Sequence, residues 1–388
     1  MKPNQIYSVL NDINSQMFGS QALQVNDLSG LISMGTTITN AQSQDRFLNI
    51  LVDRIGKTVI RNLDLELDFP SLYMDSFEFG AILQKITIDP IPAVSSNDWE
   101  VGQAGFTPSL YDIHKPTVSV KYFDGCDTAS FIVTIPFDLM DSAFTSEAGV
   151  QAFFGAIIQA LNDSLVISIN NMSRTAVNNF VAEKIKAQNG VINLLTEYNT
   201  AFPNDTITAA ETMYTPNFLR FAAGVIKRYV KYLSLPSTLY NVGGKVRATA
   251  RDNMHILCNT WFASSSQVYL ESDTYWREML ALPQFTEVAY WQGNTDGVNI
   301  NDFDSNTTIS VTPSSEEGQL SPTSITQTGV LMVLADRQAI AVGLNKRRSG
   351  TATNNIDFYT NIKEEFSVQW INDLDESGII FIVEDTTP

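Results

Sequence analysis

Thr117-Val-Ser-Val-Lys-Tyr-Phe123, Ser130-Phe-Ile-Val-Thr-Ile135 and Asp141-Ser-Ala-Phe-Thr-Ser-Glu147 open the most informative part of this chain, which closes at Gly190. The first two segments are strand candidates, and Asp124-Gly125 splits them. The third is a polar turn. Thr145 and Ser146 suit a helix N-cap, and Glu147 suits the positive end of the macrodipole. No proline follows before Gly190, so the pattern predicts one helix of roughly 40 residues, about 60 Å long. Ordinary globular helices run about 11–12 residues. Its apolar face is Val150, Phe153, Phe154, Ile157, Ile158, Leu161 and Leu165, then Val177, Phe180, Val181 and Ile185. Residues 166–171 are weak helix formers, where a bend is allowed, and Gly190 supplies a stop. A helix of this length is a structural beam.

Upstream, residues 1 to about 40 are polar and interrupted by Gly19, Gly30 and Gly35, which reads as an extended arm with a short helix over 3–13. Residues 42–55 place Phe47, Ile50, Leu51 and Ile55 at helical spacing. Leu63, Leu65 and Leu67 follow strand period, as do Phe77, Phe79, Ala81 and Leu83, then Ile86 and Ile88. About 28 residues with four prolines separate this last strand from Thr117, too many for an ordinary connection. A long projecting hairpin accounts for them.

Downstream, residues 216–233 form a second amphipathic helix through Phe218, Phe221, Ala222, Val225, Ile226 and Tyr229. An apolar run at 254–258, a helix over 272–282 and a strand over 286–291 follow. Residues 292–328 are rich in Asn, Asp, Ser, Thr and Gly and read as a long loop or flexible insertion. Strands at 329–334, 338–344, 366–371 and 379–383 close the chain.

Composition narrows the function. Of 388 residues, 44% are hydrophobic, ordinary for a globular protein of up to three domains. No apolar run spans a membrane, and the N-terminal residues lack signal-peptide order, so a cytoplasmic product is expected. There are 24 basic against 42 acidic residues, a formal charge of −18. That opposes general nucleic-acid binding, which needs a basic footprint. It suits a protein that stays soluble at high concentration. Cys126 and Cys258 are expected as unpaired structural thiols.

Chemistry-bearing motifs fail on inspection. His114 and His255 are far apart, and no zinc spacing exists. His255 and Cys258, three apart on a strand, point to opposite faces. Gly243-Gly244-Lys245 lacks the first glycine of a phosphate loop and has Val246 where a hydroxyl should bind magnesium, so a tight turn is expected. The calcium-loop likeness at Asn294-Thr-Asp-Gly297 breaks at Phe303, where glutamate is required. The sequence implies no catalytic residue, cofactor or metal. Two basic groups stand out: Lys346-Arg347-Arg348, read as a loop between strands, and Lys227, Arg228, Lys231, Lys245, Arg247 and Arg251 around the second helix. Carboxylates of a neighbouring subunit are the expected partners, with Asp373, Asp375 and Glu376 as candidates for the first group.

The order arm, short helix, projecting hairpin, long helix and late strands resembles the tailed-phage major capsid protein, an α+β Hong Kong 97-like fold. The resemblance is closer to capsid proteins of small podophages with protein-primed replication. It is carried by Asp45-Arg-Phe-Leu-Asn-Ile-Leu-Val-Asp-Arg-Ile-Gly56 with Val59-Ile-Arg61, by Lys115-Pro-Thr-Val-Ser-Val-Lys-Tyr-Phe123, and by Asp141-Ser-Ala-Phe144. It implies an N-terminal arm and short helix (1–62), an extended β-hairpin loop (63–136), a spine helix with part of a peripheral domain (137–252), an axial domain (253–336) and peripheral return strands (337–388). It implies a shell protein of the virion, built in the host bacterial cytoplasm from pentamers and hexamers of itself. Implied partners are scaffold, portal and head-fibre or decoration proteins, with DNA met only non-specifically at the inner face and no membrane. Trp99, Val101 and Phe106 near the hairpin tip and Lys346, Arg347 and Arg348 are the expected assembly contacts. The alternatives are an encapsulin-type compartment shell and an enzyme without a recognisable motif.

Overall fold

The computed structural model describes residues 68–74, 83–91, 115–123, 126–139, 147–271, 285–292, 307–312 and 324–385, with Ile113 and shorter pieces between 11 and 37. The helices are α1 (Glu147–Lys186), α2 (Leu194–Ala201), α3 (Pro216–Leu233) and α4 (Thr260–Glu271). The strands are β1 (Leu83–Ile88), β2 (Val118–Phe123), β3 (Cys126–Pro136), β4 (Val191–Asn193), β5 (Met254–Asn259) and β6 (Thr286–Val288). They continue with β7 (Ile309–Val311), β8 (Ile325–Gln327), β9 (Val330–Asp336), β10 (Ile340–Asn354), β11 (Tyr359–Asn372) and β12 (Gly378–Ile382).

Helix α1 is uninterrupted over 40 residues. Its first half buries one stripe, Ile157, Leu161 and Leu165, at four-residue spacing. Its second half is buried nearly all round, from Ser168 to Lys184. The weak helix formers at 166–171 stay helical because packing overrides propensity. Within this stretch Asn170 Oδ1 accepts from Asp68 N (3.1 Å), and just beyond it Ser173 Oγ donates to Ile169 O (2.9 Å) and Arg174 pairs with Asp68 at 2.5 Å. Beyond the helix, Gly190 has φ +69°, and a Cβ there would lie 2.5 Å from the Gly378 carbonyl oxygen. Only glycine allows β12 to approach that closely.

A five-stranded sheet in the order β4-β12-β9-β5-β6 lies against α1. Its apolar runs sort by parity except at a register shift in β9, where Leu331 and Met332 share a face. Leu257, Val333, Ala335, Ile380 and Ile382 face the cluster built on α1. Ile256, Cys258, Met332, Leu334, Ile379 and Phe381 face α2, α3 and α4 on the other side. Both faces are covered, which is why these strands read as continuous hydrophobic runs. Helix α3 has the bounds its sequence predicts, and buries Phe218, Leu219, Ala222, Val225 and Ile226. The boundary expected at residue 252 cuts through this core, since α2 and α3 pack on strands from 254–259 and 330–336.

A second, three-stranded antiparallel sheet, β10-β11-β3, also packs on α1 through Ala129, Val342, Phe366 and Val368. The strands flanking 124–125 therefore do not pair with each other: β2 pairs with β1, and β3 with β11. The 292–328 stretch is not all flexible insertion. It contributes the β7–β8 pair, with Ile309 and Val311 in the α1 core. The arm is also more structured than its polarity suggests. Backbone over 13–18 and 33–35 is helical, and Ile13, Met17 and Met34 are buried. The expected elements at 42–55, 63–67 and 272–282 lie outside the described residues.

Candidate assembly interface

Strands β1 and β2 form an isolated two-stranded ribbon in which polarity is inverted. Five rungs from Leu83↔Phe123 to Thr87↔Ser119 and a sixth, Ile88↔Val118, define its register. Because side chains alternate, Leu83, Lys85, Thr87, Ser119, Lys121 and Phe123 point to the body. The outer face carries Ile86 (61% exposed), Ile88, Val118, Val120 and Tyr122 (60%). Paired rungs Ile86↔Val120 and Ile88↔Val118 make this a continuous apolar strip. A two-stranded ribbon is marginal alone, and a contiguous apolar patch rimmed by polar residues marks a contact surface.

The inner face is held by charge. Lys85 Nζ lies 2.6 Å from Asp373 Oδ2 and 2.8 Å from Glu376 Oε1. Lys121 Nζ lies 3.2 Å from Asp373 Oδ1 and 2.8 Å from Asp375 Oδ2. From the 237–247 segment, Lys245 Nζ reaches Asp375 (3.1 Å) and Arg247 Nε reaches Glu376 (3.2 Å). Asp373 is 1% exposed, so these are charges taken out of water and satisfied by partners. Burial pushes the Asp375 carboxyl up, but hydrogen bonds and charge from Lys121 and Lys245 outweigh it and hold it below the ordinary value. Gly243 makes room for the cluster, since a Cβ there would meet Asp375 Oδ1 at 1.9 Å. The Gly243-Gly244-Lys245 stretch is a tight turn closed by Asn241, whose Oδ1 accepts from Lys245 N at 2.8 Å.

These contacts correct two expectations. Lys346, Arg347 and Arg348 lie within strand β10 and not in a loop. Arg347 is turned inward, 2.5 Å from Glu364 of the same chain, and Arg348 is exposed. The carboxylates expected to meet this triad from a neighbour, Asp373, Asp375 and Glu376, are engaged within the chain by Lys85, Lys121, Lys245 and Arg247. In the second basic group, Arg228 pairs with Glu197 of its own chain at 3.1 Å. Trp99, Val101 and Phe106 lie outside the described residues. The outer face of the ribbon escaped the sequence reading, although a signal existed. Apolar parity slips between Leu83 and Ile86, so the second set, Ile86 and Ile88, faces away from the side that Leu83 faces.

Two further surfaces expose aromatic or aliphatic side chains. Ile356 (86% exposed) and Phe358 sit at the β10–β11 turn, and Tyr214 and Trp261 meet edge-on at 6.1 Å. Buried titratable groups offer no reactive constellation. Burial pushes the Cys258 thiol well up, and burial with the Arg337 charge takes His255 down to about 4. Cys126 and Cys258 are both free thiols, the first exposed and the second buried. Lys184, on α1, donates to Tyr240 O (2.6 Å) and Asn189 Oδ1 (3.1 Å), and burial lowers its ammonium to about 7. Among the described residues no group of three or more His, Cys, Asp or Glu is placed to hold a metal, and no helix is long and apolar enough to cross a membrane.

Comparison with known proteins agrees with this architecture. The capsid structure of Staphylococcus phage Andhra superposes with a TM-score of 0.52 at 11% identity, covering 82% of this chain and 84% of that chain. The structure of head fiber and inner core protein gp22 of native bacteriophage P68 gives a TM-score of 0.52 at 9% identity, covering 82% and 85%. At such identities the likeness is one of fold, the Hong Kong 97-like capsid fold. No curated protein matches the chain. The profile of the Phi29-like phage major capsid protein family matches residues 8–363. That match sets aside the compartment-shell alternative. With a long spine helix between two sheets, a ribbon turned apolar side out and this family match over nearly its whole length, the chain belongs to the Phi29-like phage major capsid proteins.

Proposed function

We propose that this head-shell protein assembles as pentamers and hexamers of itself by laying the outer face of the β1–β2 ribbon on a neighbouring copy. The observation that carries the reading is the inverted ribbon, with polar residues toward its own body and Ile86, Ile88, Val118, Val120 and Tyr122 toward solvent. A head-to-tail contact of this kind closes into rings, and its burial supplies what the ribbon lacks alone. The expected tip residues Trp99, Val101 and Phe106 extend the same contact. Arg348 is exposed and is assigned to carboxylates of an adjacent capsomer. By core membership, the five-stranded sheet with α2, α3 and α4 forms the axial domain, and β3, β10 and β11 with α1 the peripheral one. Function on this reading is interface area and not chemistry. The particle is built in the bacterial cytoplasm, with scaffold, portal and head-fibre or decoration proteins as further partners. DNA is met only non-specifically at the inner face, and the charge of −18 opposes tight binding to it.

The test is Ile86→Asp with Val120→Lys, an opposite-charge pair on one rung that keeps a favourable cross-strand contact while removing the apolar strip. Both sites are exposed, so the subunit should keep its circular dichroism and lose less than about 0.5 kcal/mol of stability. Negative-stain microscopy should show no closed shells. Normal shells from the double variant contradict the reading.

A further inference from the structure

We propose that the carboxylates of 373–376 form a releasable electrostatic latch that decides whether the β1–β2 ribbon rests on the body. The charges form one alternating chain: Lys245, Asp375, Lys121, Asp373, Lys85, Glu376, Arg247. Both ends of that chain come from the 237–247 segment, the carboxylates from the turn after β11, and the two central cations from the ribbon. Every carboxylate touches two cations, and every ribbon lysine touches two carboxylates.

The register shows why the ribbon depends on this arrangement. Lys85 and Lys121 are direct cross-strand partners. Like charges opposite each other destabilise a ladder, so this rung opposes pairing unless carboxylates lie between the ammonium groups. Asp373 does so, taking Lys85 on Oδ2 and Lys121 on Oδ1. The neighbouring rungs hold the ribbon less firmly. At the base, Phe123 is buried and its carbonyl accepts from Gln369 Nε2 at 3.2 Å, which makes a fixed pivot. Two rungs beyond the lysines, Ser119 Oγ accepts from Lys245 Nζ at 2.6 Å. Next to Lys85 and Thr87 lies a cavity of about 670 Å³, lined on the body side by Ser71, Met74, His255 and Arg337. The ribbon thus has a fixed base, a charged catch and open space beside it. It does not rest on an apolar floor like the strands of the large sheet. Control of the shell contact by this latch rests on the contact reading above, while the latch itself does not.

Amide hydrogen exchange on the unassembled full-length chain tests it. Peptides covering 83–91 and 115–123 report the ribbon, and those covering 126–136 and 359–372 report the sheet beside it. Raising NaCl from 0.1 to 1 M should speed ribbon exchange at least about threefold, with the sheet unchanged. Asp373→Asn should speed it at least about tenfold, and adding Lys121→Met, which removes the repulsive rung, should restore most of the protection. Ribbon exchange indifferent to both salt and Asp373→Asn overturns the latch. So does equal acceleration of ribbon and sheet, which would make the cluster a general clamp of the fold. If Asp373→Asn does not fold, the salt series on the unaltered chain decides alone. Selective loosening together with unchanged shell assembly would keep the latch and remove the contact reading.

Discussion

The five-stranded sheet and the β1–β2 ribbon are both built of alternating strands, yet they treat apolar residues in opposite ways. In the sheet, odd and even residues are both buried, one set under α1 and the other under α2, α3 and α4. In the ribbon beyond its Leu83↔Phe123 base, the side facing the protein is polar and the side facing solvent carries Ile86, Ile88, Val118 and Val120. The sheet is complete within one chain. The ribbon makes physical sense only when another surface covers it, because exposed aliphatic pairs add nothing to an isolated subunit. The same difference separates residues that determine stability from residues that determine assembly.

Substitutions should sharpen this division. The largest effect on folding is expected at Phe381, fully buried in the sheet beside Tyr229. Phe381→Ala should cost about 3–5 kcal/mol, read from denaturant unfolding, and lower shell yield only through the loss of folded protein. A cost no larger than that of Ile86→Asp with Val120→Lys would erase the distinction.

A smaller effect is expected at Lys184. Burial holds its ammonium near 7, against 10.5 in the unfolded chain. Between those values the unfolded chain binds more protons, so stability should rise with pH from 7 towards 10. Melting temperatures across pH 7–9.5 should show this rise in the native chain and lose it in Lys184→Met. The same slope in both chains would mean that the lysine is not the group responsible.

The smallest effect is expected at Arg348. Arg348→Glu should leave folding intact and lower the salt concentration at which shells dissociate. Arg347→Glu is a different experiment, because it sets a second carboxylate against the buried Glu364 and should impair the fold itself. Equal salt resistance in Arg348→Glu shells would leave that arginine as a solvated side chain.

Much of the fold was legible. The 40-residue helix, α3 and the final strands announce themselves because period and length act locally. The β1–β2 pairing follows the hairpin expected between residues 88 and 117, whereas the partner of β3, strand β11, was not legible because that pairing is far apart in sequence. The short β7–β8 pair was hidden by polar surroundings, since three residues per strand are too few to show a period. At the candidate site, Lys346, Arg347 and Arg348 were legible as a cationic run, but not the inward turn of Arg347 to Glu364, which depends on strand pairing. Asp373, Asp375 and Glu376 were expected to serve a neighbouring copy, whereas four cations from two other segments of the same chain engage them, a pairing that sequence distance conceals. The parity slip after Leu83 was visible, but alternation alone does not say which face meets the body.

Electron cryomicroscopy of the assembled shell tests the central claim most directly. The account predicts that Ile86, Ile88, Val118, Val120 and Tyr122 are buried against a neighbouring copy while Lys85 and Lys121 remain on the carboxylates of their own chain. A shell in which that apolar strip faces solvent, or faces only its own subunit, would contradict it.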